Sequence, residues 1–516
     1  MQPTHKSCVE EWNSLPWKQF EKIVFRLQYR IYKAYQNKDY NLVNRLQRCL
    51  ASSRAAKLLA IRQVTQLNQD KKTAGIDKKI ALTEKERLQI FKEISNIKGY
   101  KHSKLKLVFI PKSNGEKRPL GIPTIKDRAI QCFIKYALEP VYEAYASRSS
   151  YGFRPARSTW DIQKNIFINL KSDAKGITKQ ILELDIEKCF DKINHEKLMA
   201  MVQLPQNIKS IVWSALKAGV LKERPKRIEG TQQGGIISPL LCNIALDGIE
   251  DIWNERIHKN KIYQRGFRYA DDMVFFIKCK EDAELLRKKI DLFLAERGLN
   301  VKESKTKLVK STEGFDFLGW HFKVKAKNEK FVSYPSKKNR IQVFDKIKQI
   351  IKDPRFKIEE RLDKIKIIYK GWRNYHQFSD MGQINASLWK ISDWVYKYCK
   401  KLNNKKNRVQ RSIVKLKLAD NIHSIFNGHE YKVNGFTSVQ SDKSIYDNDC
   451  LYWSKRVPNR FYGQLTKQIH KEKAKCANCN LYFKNDDIIE LNHIDGNHKN
   501  NQYINLMALH RSCHQK

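Results

Sequence analysis

No apolar run of about 18 residues occurs in this chain, so the sequence predicts no membrane-spanning helix. Its opening, Met1-Gln2-Pro3-Thr4-His5, lacks both the apolar core of a secretory signal and the Arg- and Ser-rich pattern of a transit peptide. A cytoplasmic location follows as the expectation (bacterial cytosol or nucleoid), with an organellar host left open. Acids are scarce: 54 Asp and Glu face 100 Lys and Arg, a formal net charge of +46. Such a field favours a polyanionic partner and says little about fold. The 11 cysteines mostly stand singly among apolar residues, which fits reduced thiols and excludes a disulfide scaffold. Internal repeats and low-complexity linkers are missing too. With 516 residues, 41% of them hydrophobic, the chain is long enough for several folded domains.

What is present centres on Arg268-Tyr269-Ala270-Asp271-Asp272-Met273-Val274-Phe275-Phe276. Two adjacent carboxylates between short apolar runs predict strand, tight turn, strand. Neighbouring side chains on a strand point to opposite faces, so only a hairpin tip lets such a pair share a ligand. Taken alone, Asp-Asp reads as an ordinary surface turn. A third acid alters that balance. The run Ile181-Leu182-Glu183-Leu184-Asp185 ends on Asp185 and leads into a helical pattern. One carboxylate at a strand end plus two at a hairpin can hold two Mg²⁺ ions about 3.5–4 Å apart. Such a pair activates a 3′-hydroxyl, binds a triphosphate and stabilises the leaving pyrophosphate.

Lys106 to Pro123 predicts a second hairpin, turning at Ser113-Asn114-Gly115. Lys112, Lys117 and Arg118 cluster there, as a triphosphate requires, and Arg suits bidentate phosphate contact. A merely solvated basic hairpin is the alternative. In Gly230-Thr231-Gln232-Gln233-Gly234-Gly235 the glycine pair permits close backbone approach to a nucleotide or template. Helices are expected from Trp17 to about Gln69, where Phe20, Val24, Leu27, Ile31 and Tyr35 recur at helical spacing, and again from Asp127 to Tyr145. Between Lys397 and Lys417 nine Lys or Arg occur with no acid, interleaved with apolar residues. That reads as a folded helix whose one-signed surface suits a phosphate backbone, though charge runs commonly just solvate a face. Tyr431, Phe436, Tyr446, Tyr452 and Trp453 stand among polar residues, a composition that suits DNA binding.

Near the end, Cys476-x2-Cys479 and His510-x2-Cys513 have the spacing of one structural zinc site. A module so poor in aliphatic residues needs such a staple.

The order of these motifs resembles that of group II intron-encoded proteins, reverse transcriptases and maturases with a C-terminal HNH endonuclease. The resemblance implies a multidomain α+β fold: a right-hand polymerase of fingers, palm and helical thumb, with a small zinc-stapled ββα-metal HNH module. The expected domains are a helical N-terminal extension (1–75), fingers and palm (76–325), a maturase or thumb domain (326–425), a DNA-binding segment (426–470) and the HNH endonuclease with its zinc site (471–516). Tyr269-Ala270-Asp271-Asp272 is similar to the reverse-transcriptase signature, and Asp185 to the first metal-binding aspartate. Gln233-Gly234 is similar to the turn that contacts template and nucleotide. Lys117 and Arg118 fall on the hairpin that closes over the incoming nucleotide, and Lys305 joins the nucleotide- or template-binding residues. Phe190 resembles the ring that blocks a ribose 2′-hydroxyl, the alternative being a core Phe on a first helical turn. Phe315-Asp316-Phe317-Leu318-Gly319-Trp320 resembles the primer-gripping block, and Tyr369-Lys370-Gly371-Trp372-Arg373-Asn374-Tyr375 the maturase domain.

In the last module the resemblance makes His493 the general base and Asn505 the residue that fixes the metal loop. Asn492 and His514 would be the ligands of one Mg²⁺ or Mn²⁺ ion. Asn492 departs from the family, where His or Asp is commoner. The implied activities are RNA-directed DNA polymerisation from dNTPs primed on target DNA, promotion of intron RNA splicing, and nicking of one DNA strand. Intron RNA and target DNA are the implied partners, with no membrane partner and the oligomeric state open. Two rivals stand beside this reading: a splicing maturase, and a stand-alone, retron-like reverse transcriptase with an inactive endonuclease module. Intact Asp185, Asp271 and Asp272 speak against the first, the maturase block and HNH module against the second.

Overall fold

A computed structural model describes residues 12–81, 83–97, 99–111, 115, 117–218, 230, 234–253, 265–402, 419, 420, 422, 425, 426, 436–440, 443–447, 468, 469, 471–483, 487, 489–498, 500 and 502–514. Gln233, the run 403–417, Tyr431, Tyr452 and Trp453 lie outside the described residues.

The first helices follow the apolar spacing. α1 (Trp17–Gln36), α2 (Tyr40–Ser52) and α3 (Arg54–Arg62) bury Phe20, Val24, Ile31, Leu46 and Leu58. Asp39 caps α2, accepting from Leu42 N at 2.9 Å. Thr83 and Glu86 form a capping box that opens α4 (Glu84–Ser95). These helices pack on α5 (Ile125–Tyr145) in one hydrophobic core that also holds Leu182, Met273 and Phe275 of the sheet below. The boundary expected at 75 therefore divides the chain, not the core.

β1 (Lys106–Pro111) and β2 (Lys117–Ile122) form an antiparallel hairpin whose outer end is exposed. After α6 (Thr159–Leu170), β3 (Gln180–Asp185) enters the central sheet. α7 (Cys189–Lys192), α8 (His195–Met201), α9 (Gln206–Leu216) and α10 (Ser238–Leu246) then precede β4 (Arg265–Tyr269) and β5 (Asp272–Ile277). α11 (Lys280–Ala295) and β6 (Lys307–Lys310) complete the unit, with strand order β4-β5-β3-β6. All neighbours are antiparallel. Both faces are covered, which explains the unbroken apolar run of β5. Met273, Phe275 and Ile277 face the main core, while Val274 and Phe276 join a second cluster with Ile181, Trp160 and Trp320.

β7 (Phe315–Phe317), β8 (Trp320–Val324) and β9 (Phe331–Pro335) form a three-stranded sheet. β9 pairs with β8, so this sheet runs past the boundary expected at 325. Three further helices follow, α12 (Lys337–Lys352), α13 (Ile358–Tyr375) and α14 (Asn385–Leu402), where the thumb is expected. They share a cluster built on Ile347, Ile365, Tyr369 and Val395.

Residues 436–440 and 443–447 pack against the rest of the protein. Phe436 packs on Phe378 and Trp160, with ring centroids 5.3 and 6.1 Å apart. Tyr446 is 1% exposed, and its hydroxyl donates to Glu139 Oε2 at 2.8 Å. Both rings are buried in the protein. Tertiary partners the local sequence does not reveal turn these aromatics inward.

β10 (Ile489–His493) and β11 (Leu506–His510) pair antiparallel, and a single helical turn, Arg511–His514, follows. This module rests on the N-terminal helices. Arg62 donates Nη2 to the Ser512 carbonyl at 3.2 Å and lies 4.6 Å over the Trp17 ring, while Lys18 reaches Asn478. No helix among the described residues is long and apolar enough to cross a membrane.

Candidate active site and C-terminal metal centre

The carboxylates meet because of register. β3 pairs with β5 so that Asp185 stands directly opposite Asp272. Side chains of directly paired residues share a face, so these two acids leave the same face of the sheet. Asp271 comes from the two-residue turn between β4 and β5, where Ala270 has φ +60°. That left-handed residue turns the chain and brings the third acid beside the other two. Burial raises the Asp271 carboxyl, and Asp185 adds to the rise; Lys305 and Arg118 oppose it. Asp272 is exposed to solvent on one side, yet desolvation by the surrounding palm pushes it up to about 6, with Asp271 and Asp185 contributing. The Lys305 ammonium bonds Asp185. A site this crowded with like charge calls for a cation.

The hairpin is fixed from behind by Arg268, which is fully buried. Its Nε and Nη2 donate to Glu250 at 2.9 and 3.3 Å. Its Nη1 donates to Asn243 Oδ1 at 2.9 Å and to the Ala270 carbonyl, in the turn itself, at 3.2 Å. Asn243 in turn donates to the Gly152 carbonyl at 2.8 Å. Gly152 lies so close that a Cβ there would stand 2.4 Å from Ala270 N. Gly152→Ala is expected to cost about 1–3 kcal/mol through overpacking. It should also lower primer extension at saturating substrate by more than the melting shift accounts for, because the clash falls on the turn that carries Asp271. Paired thermal melts and extension assays check this.

The fingers hairpin reaches the site. Arg118 lies near enough for its charge to be felt at Asp271. Gly234 has φ +121°, and a Cβ there would meet the Gly121 carbonyl at 2.9 Å, so the turn after Gln233 packs on β2. Gln131 of α5 accepts from Ile236 N at 2.9 Å and holds that turn. Phe190 is half-buried on α7, in the helical turn that follows Asp185. At the grip hairpin, Leu318 and Gly319 both have positive φ, and Tyr375 donates to the Leu318 carbonyl at 2.8 Å. Trp320 stacks on Tyr375 with centroids 4.5 Å apart, which ties the hairpin to the thumb.

In the C-terminal module Cys476, Cys479, His510 and Cys513 bring their ligand atoms within 4.8 Å of one another. His510 turns Nδ1 to the cluster, 3.3 Å from Cys479 Sγ, and its Nε2 lies 3.1 Å from Asp487 Oδ2. A carboxylate on the outer nitrogen orients such a ligand, so the donor set fits a tetrahedral thiophilic ion. Asn505 closes the loop beyond β10: its Nδ2 donates to Asp495 Oδ1 at 2.8 Å and to the Asn500 carbonyl at 2.9 Å. His493 ends β10, with the His498 ring 5.1 Å away. His514 Nδ1 lies 2.7 Å from Glu490 Oε2, and Glu490 and Asn492 share a strand face.

A family model described as reverse transcriptase (RNA-dependent DNA polymerase) matches residues 110–322, and one described as the N-terminal domain of reverse transcriptase matches 12–94. Maturase-like protein 1 of Euglena gracilis is 32% identical over 374 residues, 72% of this chain and 79% of that protein. The chain belongs to the reverse transcriptase and maturase family of group II introns. Protein YkfC of Escherichia coli (strain K12) is 32% identical over 266 residues, covering 45% of this chain and 70% of that protein. Group II intron-encoded protein LtrA of Lactococcus lactis subsp. cremoris is 28% identical over 349 residues, covering 53% of this chain and 57% of that protein.

For a reverse transcriptase, the clustered Asp185, Asp271 and Asp272 are the residues fitted to hold divalent cations. Sequence reasoning missed Arg268, Glu250, Asn243 and Gly152 behind the hairpin, and Asp487 and Glu490 in the module. A charged residue between Phe267 and Tyr269 in an apolar strand was the available signal for the first of these. Asp487 and Glu490 carried none.

Proposed function

We propose that this reverse transcriptase and maturase is a complete intron-mobility protein. It binds its intron RNA, promotes splicing, nicks one strand of target DNA and extends the new 3′-hydroxyl on the RNA with dNTPs. The single observation behind the polymerase half is the direct pairing of Asp185 with Asp272, with Asp271 beside them. Held by these three, two Mg²⁺ ions would supply charge neutralisation at the attacking and leaving oxygens. Lys117 and Arg118 bind the triphosphate, Phe190 excludes a ribose 2′-hydroxyl, and the Gln233-Gly234 turn seats the template base. Lys305, which bonds Asp185, would yield that carboxylate to a bound cation and be available to phosphate.

For the nuclease half, support comes from His493 at the end of β10 and from the loop that Asn505 closes. In this reading His493 takes the proton of the attacking water, and Asn492 and His514 hold one Mg²⁺ or Mn²⁺. The Cys3His set takes Zn²⁺ and staples the fold. His493→Ala should abolish nicking of duplex DNA and leave extension intact. Cys476→Ser should abolish it by unfolding the module, with release of zinc and new proteolysis near 470. Loss of extension together with nicking in His493→Ala would overturn the separation.

A second reading is favoured by one contact. His514 already engages Glu490, and Asn492 offers only a neutral oxygen. If the module is inactive, the chain is a splicing maturase with a working polymerase. Wild-type ribonucleoprotein would then cut no DNA through its protein in either cation, and Asn492→Asp would restore cutting.

A further inference from the structure

Phe153 holds an aromatic side chain in the left-handed region, with φ +59°. For a bulky residue that conformation is a genuine outlier. Its ring also faces solvent: Phe153 is 52% exposed, whereas Tyr151, Gly152, Arg154, Ala156 and Arg157 around it are buried. An unconstrained loop would relax both features, by rotating the backbone and tucking the ring away. This loop is fixed on each side of the residue. Before it, Tyr151 N donates to the Arg268 carbonyl at 3.0 Å, and Asn243 donates to the Gly152 carbonyl at 2.8 Å. After it, Arg154 donates to both Glu143 oxygens at 2.8 and 2.9 Å, and its Nη1 donates to the Ser150 carbonyl at 3.1 Å. The surrounding structure thus imposes a strained backbone and an exposed ring together, a combination that collects at ligand clamps and active sites.

The position of the loop indicates which ligand. Gly152 packs directly on the turn that leads into Asp271: a Cβ on it would stand 2.4 Å from Ala270 N and 2.9 Å from the Tyr269 carbonyl carbon. Phe153 is one Cα step further on, about 3.8 Å. Tyr269, Leu318 and Tyr375 pack against the hydrophobic cluster to which Tyr151 belongs, so the hairpin at Leu318 and Gly319 adjoins the same neighbourhood. In a reverse transcriptase the primer must bring its 3′-hydroxyl to the cations at Asp271 and Asp272. With a rise of about 3.4 Å per nucleotide, the last nucleotides of the primer pass within reach of this ring. Their bases are paired with the template, which leaves their sugars as the apolar surface on offer. We propose that Phe153 is a primer-binding residue whose ring rests on the deoxyriboses at the 3′ end of the primer. The proposal rests on the polymerase activity of the family and on neither the splicing nor the nuclease reading.

The test uses the full-length protein, Phe153→Gly and Phe153→Tyr, with a fluorescent DNA primer annealed to an RNA template. Glycine adopts φ +59° without strain, so Phe153→Gly removes the ring and the strain at once. Its melting midpoint is expected at or above that of the wild type, while the Kd for primer–template, read by anisotropy, rises by about fivefold or more. The KM for dNTP should stay near the wild-type value. Phe153→Tyr keeps the ring and should keep the primer affinity. A melting midpoint that falls in Phe153→Gly means that the ring packs for the fold, and overturns the proposal. Unchanged primer affinity overturns it too, and a raised KM for dNTP in that case assigns the ring to the incoming nucleotide. Primer affinity that is lost equally in Phe153→Tyr also counts against the ring. Absence of extension by the wild type would overturn the polymerase reading together with this one, an outcome distinct from all of these because the variants are compared by binding.

Discussion

Asp272→Asn is expected to lower primer extension on the order of 10³-fold, about 4 kcal/mol of barrier. RNA retention by the same variant should stay near wild type, because the change removes one cation ligand and no surface cation. The register is the reason. Asp185 and Asp272 are directly paired across β3 and β5, so either acid alone leaves half a clamp. Asn keeps the shape and one neutral oxygen but loses the charge that holds a hard cation. Single-turnover extension across a Mg²⁺ series separates a lost ligand from a lost fold: raising Mg²⁺ recovers part of the rate in the first case and none in the second. Extension at the wild-type rate would remove Asp272 from the site.

The second large effect is on stability. Arg268→Leu should destabilise the protein by about 3–5 kcal/mol, since it leaves the Glu250 carboxylate buried without its partner. Extension should fall further than stability, because the Ala270 carbonyl loses the donor that fixes the turn. The double variant Arg268→Met with Glu250→Leu tests the mechanism. Removing both charges should recover much of the melting temperature while extension stays low. If the double variant melts no higher than Arg268→Leu, the buried charge is not the source of the loss.

The reactive half of the site was legible in the sequence. Asp271 and Asp272 sit between β-rich runs, Asp185 ends another, and two-residue periodicity converts those positions into a face. The Cys/His cluster was legible for a similar reason, since each pair, Cys476 with Cys479 and His510 with Cys513, lies within a turn of chain. What supports these groups was not. Arg268, Asn243 and Glu250 are brought together by long-range packing, 25 and 18 residues apart in the chain for the two partners of Arg268. The burial of Phe436 and Tyr446 was not legible either, because their partners, Trp160 and Glu139, belong to elements far upstream. The reach of the second sheet to Pro335 was not legible, because β9 pairs with β8 across a turn rich in Lys and Asn.

The seat of the C-terminal module on Arg62 also bears on how the chain comes to be folded. Arg62 and the Ser512 carbonyl it meets are 450 residues apart. At about 5–20 residues per second, a ribosome separates them by roughly 20 to 90 s. Throughout that interval Arg62 stands in the nascent protein without the carbonyl it later meets. The N-terminal helices are thus complete long before one of the contacts that seats the module exists, so docking of the module is a late event in folding.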